Sequence, residues 1–370
     1  MEIALVSGNP HLPQLVGGVE VNTHELAGEL LRRGHCVRVV AKLSLRNAFG
    51  LQRAAHALIR GGWVRADCHL GYPVHRSRRP SRPPFELGPP AVAIIQNGDM
   101  LRIAEGFAGA GIASIAYLHG LGFEYWRPAG AGATALPFCG YIANSQFTAG
   151  RFRARYGIDP IVIPPLFRRE NYVTEVDPRR VTFINPVAEK GVELALAIAE
   201  LCPEIRFSFV RGWPLGVRAG ARLRRRLRRL GNVTLCGPFG DMRRVYRQTR
   251  VLLVPSQWEA ETWGRVVTEA QFSGIPVLAS NRGGLPEAVG PGGIILGHDE
   301  APAIWAAGIR ELWHDDERHR ALSRAALAHS TRPAIDPDRQ LSALLDMLER
   351  ATQRRGEVGP AGLEPATTPL

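Results

Sequence analysis

Short apolar runs alternate with longer amphipathic stretches along nearly the whole chain. In the first half, Glu2–Ser7, Val37–Ala41, Val92–Gln96, Ile112–Leu118, Tyr141–Asn144 and Ile161–Pro164 have strand length and few polar side chains. Between them, helical spacing predicts helices over Val19–Arg33, Arg46–Trp63, Met100–Gly109 and Gln146–Tyr156, the last capped by Ser145. His75–Pro90, rich in Pro and Arg, interrupts this rhythm and is predicted to be a loop. In the second half, strands are predicted at Val181–Asn185, Arg206–Val210, Val233–Leu235, Val251–Val254, Pro276–Ala279 and Gly293–Leu296. Helices are predicted at Val192–Cys202, Arg218–Arg229, Asp241–Thr249, Trp263–Phe272, Ala301–Trp313, Asp316–His329 and Pro337–Thr352. Strands that are apolar throughout belong to sheets covered on both faces, and their alternation with helices makes those sheets parallel.

The pattern divides the chain. Phe167–Arg179 is charged and aperiodic, and a linker is predicted over 167–180. It separates a Rossmann-like domain over 1–166 from a second over 181–335, with a helix over 336–352. Residues 353–370, rich in Gly, Pro and Thr with little to bury, are predicted to be disordered.

Val251–Leu296 holds the densest candidate chemistry. A strand, a polar loop over Ser256–Thr262, a helix and a second strand form a parallel βαβ unit, which collects ligands at its strands' carboxyl ends. Thr262 is predicted to cap this helix. Glu261 stands at its entrance, where a carboxylate favours the free amides, and Glu269 two turns deeper needs a polar partner. A sugar or a ribose diol would give both acids hydroxyl partners. Two further places stand out. Gly17-Gly18, before the first helix, allows close backbone approach and leaves amides free for an anion. His119 ends a strand before Gly120, where ligand residues gather.

Composition narrows the class. The chain has 370 residues, 45% of them apolar and 22% charged, which suits a soluble two-domain protein. Its net charge of +12 favours anionic partners: nucleotide diphosphates, acidic lipid or nucleic acid. The Arg-rich stretch 218–229 reads as an amphipathic helix held by Leu223, Leu227 and Leu230. Without interleaved aromatic residues it lacks the stacking platform of a nucleic-acid face. The run 76–84, RSRRPSRPP, reads as a solvated surface loop, or as a contact to membrane or acceptor. Cys36, Cys68, Cys139, Cys202 and Cys236 lack paired spacing and read as buried thiols in a reducing compartment. With no membrane-length apolar run and a strand at the very start, the expected location is the cytoplasm. The one DxD-like spacing, Asp336-x-Asp338, lies at a helix start and reads as a cap. No His, Asp or Cys cluster has metal spacing, so no metal site is expected.

Glu261-x7-Glu269, followed by Ala270, Gly274, Pro276-Val277 and Gly283-Gly284-x-Pro286-Glu287, resembles the donor-site signature of retaining family-4 glycosyltransferases. Ala143–Thr148 is typical of the same family. The resemblance covers about residues 1–350. It implies the GT-B fold, two Rossmann-like domains with parallel sheets facing a central cleft, and a terminal helix that crosses back toward the first domain. It implies a nucleoside-diphosphate sugar as co-substrate, no cofactor, and a saccharide or lipid-linked acceptor in cell-surface glycan synthesis. By resemblance, His119 contacts the donor sugar and Gly17-Gly18 reaches toward the donor phosphates and the acceptor. Glu261 meets donor-sugar hydroxyls together with the backbone amides of Thr262, Trp263 and Gly264, and Glu269 holds the ribose. Lys190, one of only two lysines with Lys42, lies at a strand–helix junction and would bind the diphosphate. Its charge and the helix amides would then do what a metal does elsewhere. The family usually carries an Arg five residues before this Lys. Here that position is Asn185, which brings no charge, and Arg265 and Arg282 are the candidate replacements.

The expectation is therefore a metal-independent hexosyltransferase of the cytoplasm, with peripheral contact at anionic membrane a further expectation. Asn185 motivates the rival from another class, an inactive nucleotide-sugar-binding partner protein. A nucleotide-sugar epimerase would share the fold without needing an acceptor. A nucleic-acid binder rests on charge alone.

Overall fold

The computed structural model describes residues 1–59, 66–82, 88–126 and 136–357. Parts of the predicted helix Arg46–Trp63, of the Arg/Pro-rich loop and most of the tail lie outside the described residues. The first sheet contains β1 (Glu2–Ser7), β2 (Cys36–Lys42), β3 (Val74–Ser77), β4 (Val92–Ile95), β5 (Ala113–Leu118), β6 (Gly140–Ala143) and β7 (Ile161–Val162). Its helices are α1 (Gly18–Arg32), α2 (Ala48–Ile59), α3 (Met100–Ala108), α4 (Phe123–Trp126) and α5 (Gln146–Tyr156). The second sheet contains β8 (Arg180–Ile184), β9 (Phe207–Val210), β10 (Val233–Cys236), β11 (Thr249–Val254), β12 (Val277–Ser280) and β13 (Gly293–Leu296). With it come α6 (Val192–Leu201), α7 (Val217–Leu230), α8 (Arg243–Tyr246), α9 (Arg265–Gln271), α10 (Leu285–Val289), α11 (Pro302–His314) and α12 (Asp316–His329). The helix α13 (Pro337–Glu357) follows.

All strand pairs within the two sheets are parallel, in the orders β3-β2-β1-β4-β5-β6-β7 and β10-β9-β8-β11-β12-β13. The strand order reverses between β1 and β4, and again between β8 and β11. Ligands of such sheets bind at the carboxyl ends flanking that reversal. Each sheet is buried on both faces. Ile3, Leu5, Val39, Ile94 and Ile115 pack against Leu26 and Leu30 of α1, while Ala4, Val6 and Ile95 meet Ile103, Phe107 and Phe152. Leu341, Leu344 and Leu348 of α13 join the first of these cores, so the last helix covers the first sheet. In the second sheet, Val181, Phe183, Phe207 and Phe209 face α6, α7 and α11, and Leu252, Val254 and Val277 face α9 and α10.

Several expectations need correction. The start of the predicted loop, His75–Ser77, joins Val74 as β3 by pairing with β2; its polar sequence hides it beside an apolar neighbour. The helix predicted over Asp241–Thr249 shrinks to α8, because Thr249 already pairs with Arg180 as the start of β11. The predicted linker is packed: it contains a 3-10 turn at Arg169–Asn171, and Phe167 and Tyr172 are buried. The final helix continues past Thr352 to Glu357, into the predicted tail. Of the five cysteines only Cys202 is fully buried, while Cys36, Cys68 and Cys139 are exposed; all five are free. Asp336 accepts from the Arg339 amide at 2.9 Å, the capping role read from its sequence. Among the described residues no helix is long and apolar enough to cross a membrane.

Candidate functional site at the facing strand ends

The loop after β8 turns through a 3-10 helix, Ala188–Lys190, into α6. Gly191 there takes φ +82°, and a Cβ on it would collide with the Pro255 carbonyl, so only glycine fits. This close approach brings the loop against the end of β11. The Gln257 amide donates to the Glu189 carbonyl at 3.0 Å, and Ser256 Oγ donates to the same oxygen at 3.3 Å. Lys190 consequently reaches Glu261 and forms an ion pair with it. Ser256 Oγ also contacts Glu261 Oε2 at 3.2 Å. The ammonium lies 5.1 Å from the Trp258 ring centroid and 5.4 Å from that of Trp213, a cation held between two aromatic faces.

Thr262 does not cap the following helix. Its hydroxyl donates to the His119 carbonyl at 2.6 Å and accepts from Asn144 Nδ2 at 2.8 Å, clasping the first sheet. The helix starts instead at Arg265, preceded by Gly264 with φ +76°. Among the described residues, the N–H groups of Thr262, Trp263 and Gly264 donate to no protein acceptor. The Trp263 side chain cannot be a ligand contact. It is buried and its Nε1 donates to Thr268 Oγ1 at 3.1 Å.

From the first sheet, His119 stands at the end of β5, its ring 3.9 Å from that of Tyr117 and its Nε2 3.1 Å from Gln96 Oε1. Burial, with Arg265 nearby, lowers its pKa to about 3, so the imidazole is neutral at neutral pH. Gly18 begins α1 directly over Arg265, where an added Cβ would lie 3.5 Å from the Arg265 Cδ. Gly17 makes room for a side chain of its own helix: a Cβ there would lie 2.6 Å from Glu20 Oε2. Glu20 is buried beside Asn97, and desolvation raises its pKa to about 7.

Two predicted site residues are engaged differently from expectation. Asn185 has φ +62°, and its Oδ1 accepts from the amides of Gly212 and Trp213, each at 2.8 Å. It ties the ends of β8 and β9 together, and thereby places Trp213 beside Lys190. Glu269 is buried, its Oε2 accepting from the Tyr246 hydroxyl at 2.7 Å. Desolvation, partly offset by Arg265, raises its pKa. Arg265, one candidate replacement for the missing cation, is buried too. It donates to the Leu166 carbonyl at 2.8 Å and pairs with Glu25 of α1 at 2.9 Å. It is therefore no phosphate ligand in this arrangement. Arg282, the other candidate, has a buried Nε without a hydrogen-bond partner.

Sequence reasoning named Ser256, Asn144 and Glu287 only as members of motifs, without a role, and missed Tyr246 and Glu25. Glu287, in the Gly283-Gly284 motif, accepts from the Gln146 amide at 2.7 Å and so caps a helix of the other sheet. Only the cap position of Ser145 hinted that this helix start mattered; its Oγ accepts from Thr148 at 3.0 Å. A groove of about 600 Å³ along the second sheet, past Val210, Cys236, Phe239, Arg244 and Gln248, is lined by none of these site residues. Among the described residues no group of three or more His, Cys, Asp or Glu could hold a metal ion.

Comparison with known proteins follows the same two halves. The family model described as Glycosyltransferase Family 4 matches residues 16–169, and that described as Glycosyl transferases group 1 matches 178–315. A D-inositol 3-phosphate glycosyltransferase of Segniliparus rotundus is 34% identical over 221 residues, 52% of this chain and 48% of its own. Its counterpart in Corynebacterium kroppenstedtii is 41% identical over 98 residues, 26% of this chain and 21% of its own. The chain thus matches about half or less of the length of these curated relatives. Among solved structures, Anabaena HepE in complex with UDP and glucose superposes with a TM-score of 0.72 at 19% identity, covering 94% of this chain and all of that one. The sucrose-phosphate synthase of Thermosynechococcus elongatus gives 0.71 at 15% identity, covering 95% and 99%.

Proposed function

We propose, from the premise that this chain belongs to the family-4 glycosyltransferases with the GT-B fold, that it moves a hexosyl group from a nucleoside-diphosphate sugar to a saccharide or lipid-linked acceptor. One observation carries the reading. Lys190 pairs with Glu261 where the second sheet reverses, the neighbouring amides of Thr262, Trp263 and Gly264 donate to no acceptor among the described residues, and Thr262 binds the His119 carbonyl of the first sheet. Transfer leaves a diphosphate with growing negative charge, and a fixed cation beside free amides stabilises that charge as it develops. Donor binding then redirects the Lys190 ammonium from Glu261 to the diphosphate. Glu261, still held by Ser256, accepts hydroxyls of the donor sugar, and neutral His119 offers a hydrogen bond from the opposite wall. Glu269 receives the ribose. The relatives named for D-inositol 3-phosphate make a phosphorylated polyol one acceptor to test, and HepE, solved with UDP, makes UDP the first nucleotide.

Retention of the anomeric configuration, metal independence, a role in cell-surface glycan synthesis and cytoplasmic location with peripheral membrane contact belong to the same proposal. The first is read by NMR of the product's anomeric signal, and the second by transfer measured in chelator.

The melting temperature against UDP-, GDP-, ADP- and TDP-sugars without metal tests the core of the reading, with Lys190→Ala and Glu269→Ala beside the wild type. A ligand at 100 times its dissociation constant adds about 2.7 kcal/mol of stability. A shift with one nucleotide, absent from both variants, supports the donor site; no shift with any nucleotide refutes it. The rival of a catalytically weak binding partner draws support from Asn185 and Arg265, which leave Lys190 without the second cation expected there. Donor binding without transfer or hydrolysis would favour it.

A further inference from the structure

Arg265 and Glu269 stand four residues apart on α9, the spacing at which oppositely charged side chains of one helix pair by default. In this fold they do not pair well. Arg265 Nε lies 3.4 Å from Glu269 Oε1 and has no hydrogen-bond partner. Its remaining donors point elsewhere: Nη1 to the Leu166 carbonyl at 2.8 Å, and Nη2 to Glu25 Oε2 at 2.9 Å and to the Tyr172 hydroxyl at 3.1 Å. The Tyr172 hydroxyl donates to Glu25 Oε1 at 2.7 Å, and the guanidinium lies 4.2 Å from the Phe167 ring centroid. Glu25 is only 2% exposed and sits on α1, under the first sheet, 240 residues away in sequence. The result for Glu269 is asymmetric. Its Oε2 accepts from Tyr246, whereas its Oε1 has only the loose 3.4 Å ion pair with Arg265 Nε.

We propose that Glu25 is a positioning residue for the donor site: by drawing the Arg265 guanidinium across the domain boundary, it leaves Oε1 of Glu269 free to accept a ribose hydroxyl. The inference rests on the reading of Glu269 as the ribose ligand. Charge in a buried setting makes the competition strong, since one guanidinium serves two carboxylates and its geometry decides which is neutralised. Without the Glu25 charge, Arg265 closes onto Glu269, and the ribose loses its acceptor. Because Glu25 belongs to the first domain and Glu269 to the second, the contact links domain closure to nucleotide affinity.

The test is titration calorimetry of wild type, Glu25→Gln and Glu269→Gln with UDP, GDP and ADP. The nucleotide that binds is then compared with its 2′-deoxy and 3′-deoxy counterparts. In the wild type, loss of the accepting hydroxyl should weaken binding tenfold or more. In Glu25→Gln the parent nucleotide should bind about tenfold more weakly, and the deoxy counterparts no worse than the parent. A merely structural Glu25 would lower affinity for all three equally. Wild-type affinity and discrimination in Glu25→Gln overturn the inference. Unchanged binding by Glu269→Gln removes the ribose reading beneath it, and no nucleotide binding by the wild type removes the proposed function. Should Glu25→Gln fail to fold, Glu25→Gln with Arg265→Gln removes both buried charges together. With no competing cation, that double variant must still discriminate the ribose hydroxyl; its failure to do so also overturns the inference.

Discussion

Replacing Asn185 by Arg would supply the charge that the family resemblance leads one to expect beside the proposed diphosphate site, and charge alone predicts tighter donor binding. The structure predicts the opposite. Asn185 holds φ +62°, a conformation that Asn tolerates and that costs other non-glycine residues about 1–2 kcal/mol. Its Oδ1 is the acceptor for the amides of Gly212 and Trp213 at 2.8 Å each. Gly212 is exposed and Trp213 half-buried, so water replaces part of what is lost, and each bond contributes about 0.5–1 kcal/mol. Asn185→Arg should therefore destabilise the fold by about 2–4 kcal/mol. It should also release Trp213 from Lys190, now 5.4 Å from its ring centroid, and weaken nucleotide binding. Asn185→Asp keeps both the acceptor and the tolerance for positive φ, and should cost under about 1 kcal/mol. Urea midpoints give the stability differences and calorimetry with UDP gives the affinity. An Asn185→Arg protein as stable as wild type that binds nucleotide more tightly would refute this account and restore the view of position 185 as a phosphate site.

Glu20 supplies a pH test. Its pKa is raised from 4.5 to about 7, so between these values the unfolded carboxyl releases its proton first and stability falls as pH rises, by about 3 kcal/mol in full. Glu20→Gln should stabilise the protein at pH 8 and scarcely at pH 4.5, and an equal effect at both would contradict the assignment. Lys190→Ala leaves Glu261, whose side chain is 8% exposed, without its cation, and should cost about 1–3 kcal/mol. Adding Glu261→Gln should recover most of that stability but none of the transfer activity, measured as nucleoside diphosphate released; recovery of both would deny Lys190 its role on the leaving group. Gly284→Ala would drive a Cβ into the Thr262 carbonyl, so nucleotide-induced stabilisation should vanish while far-UV circular dichroism persists. Normal nucleotide binding by that variant would mean the 261–264 loop tolerates movement.

The architecture was legible because each strand is apolar throughout and each crossover helix has a clean period. Where the reading slipped, one signal masked another. Val74–Ser77 carries His, Arg and Ser, yet it becomes β3 because Arg76 is bound on all sides, to Asp67 at 2.8 Å and to the His11 carbonyl at 3.1 Å. Thr262 has the chemistry of a cap, and local sequence cannot tell that its hydroxyl serves His119, 143 residues away. Gly17, a candidate point of ligand approach, also makes room for Glu20 three residues on, which its sequence does not announce.

The site shows the same limit at greater range, and the reason is physical. Motif residues are recognisable by type and spacing, which makes Lys190, Glu261 and Glu269 candidates without any fold at hand. What each does depends on partners that no spacing encodes. Glu269 meets Tyr246 only because β11 and its neighbours bring α8 against α9, and Arg265 pairs with Glu25 of α1 at 2.9 Å more closely than with Glu269 at 3.4 Å. Glu287 belongs by sequence to the donor motif, yet it caps α5 across the cleft. With Thr262 on the His119 carbonyl and Arg151 on Glu259 at 2.8 Å, the donor-side loops hold the first domain through side chains of the recognition motif itself. Conservative changes at Glu287 or Thr262 should therefore alter domain closure before they alter contact with any sugar. Small-angle scattering of Glu287→Gln and Thr262→Val, with and without nucleotide, reads that closure directly. A radius of gyration unchanged from wild type in both variants would confine these residues to local roles.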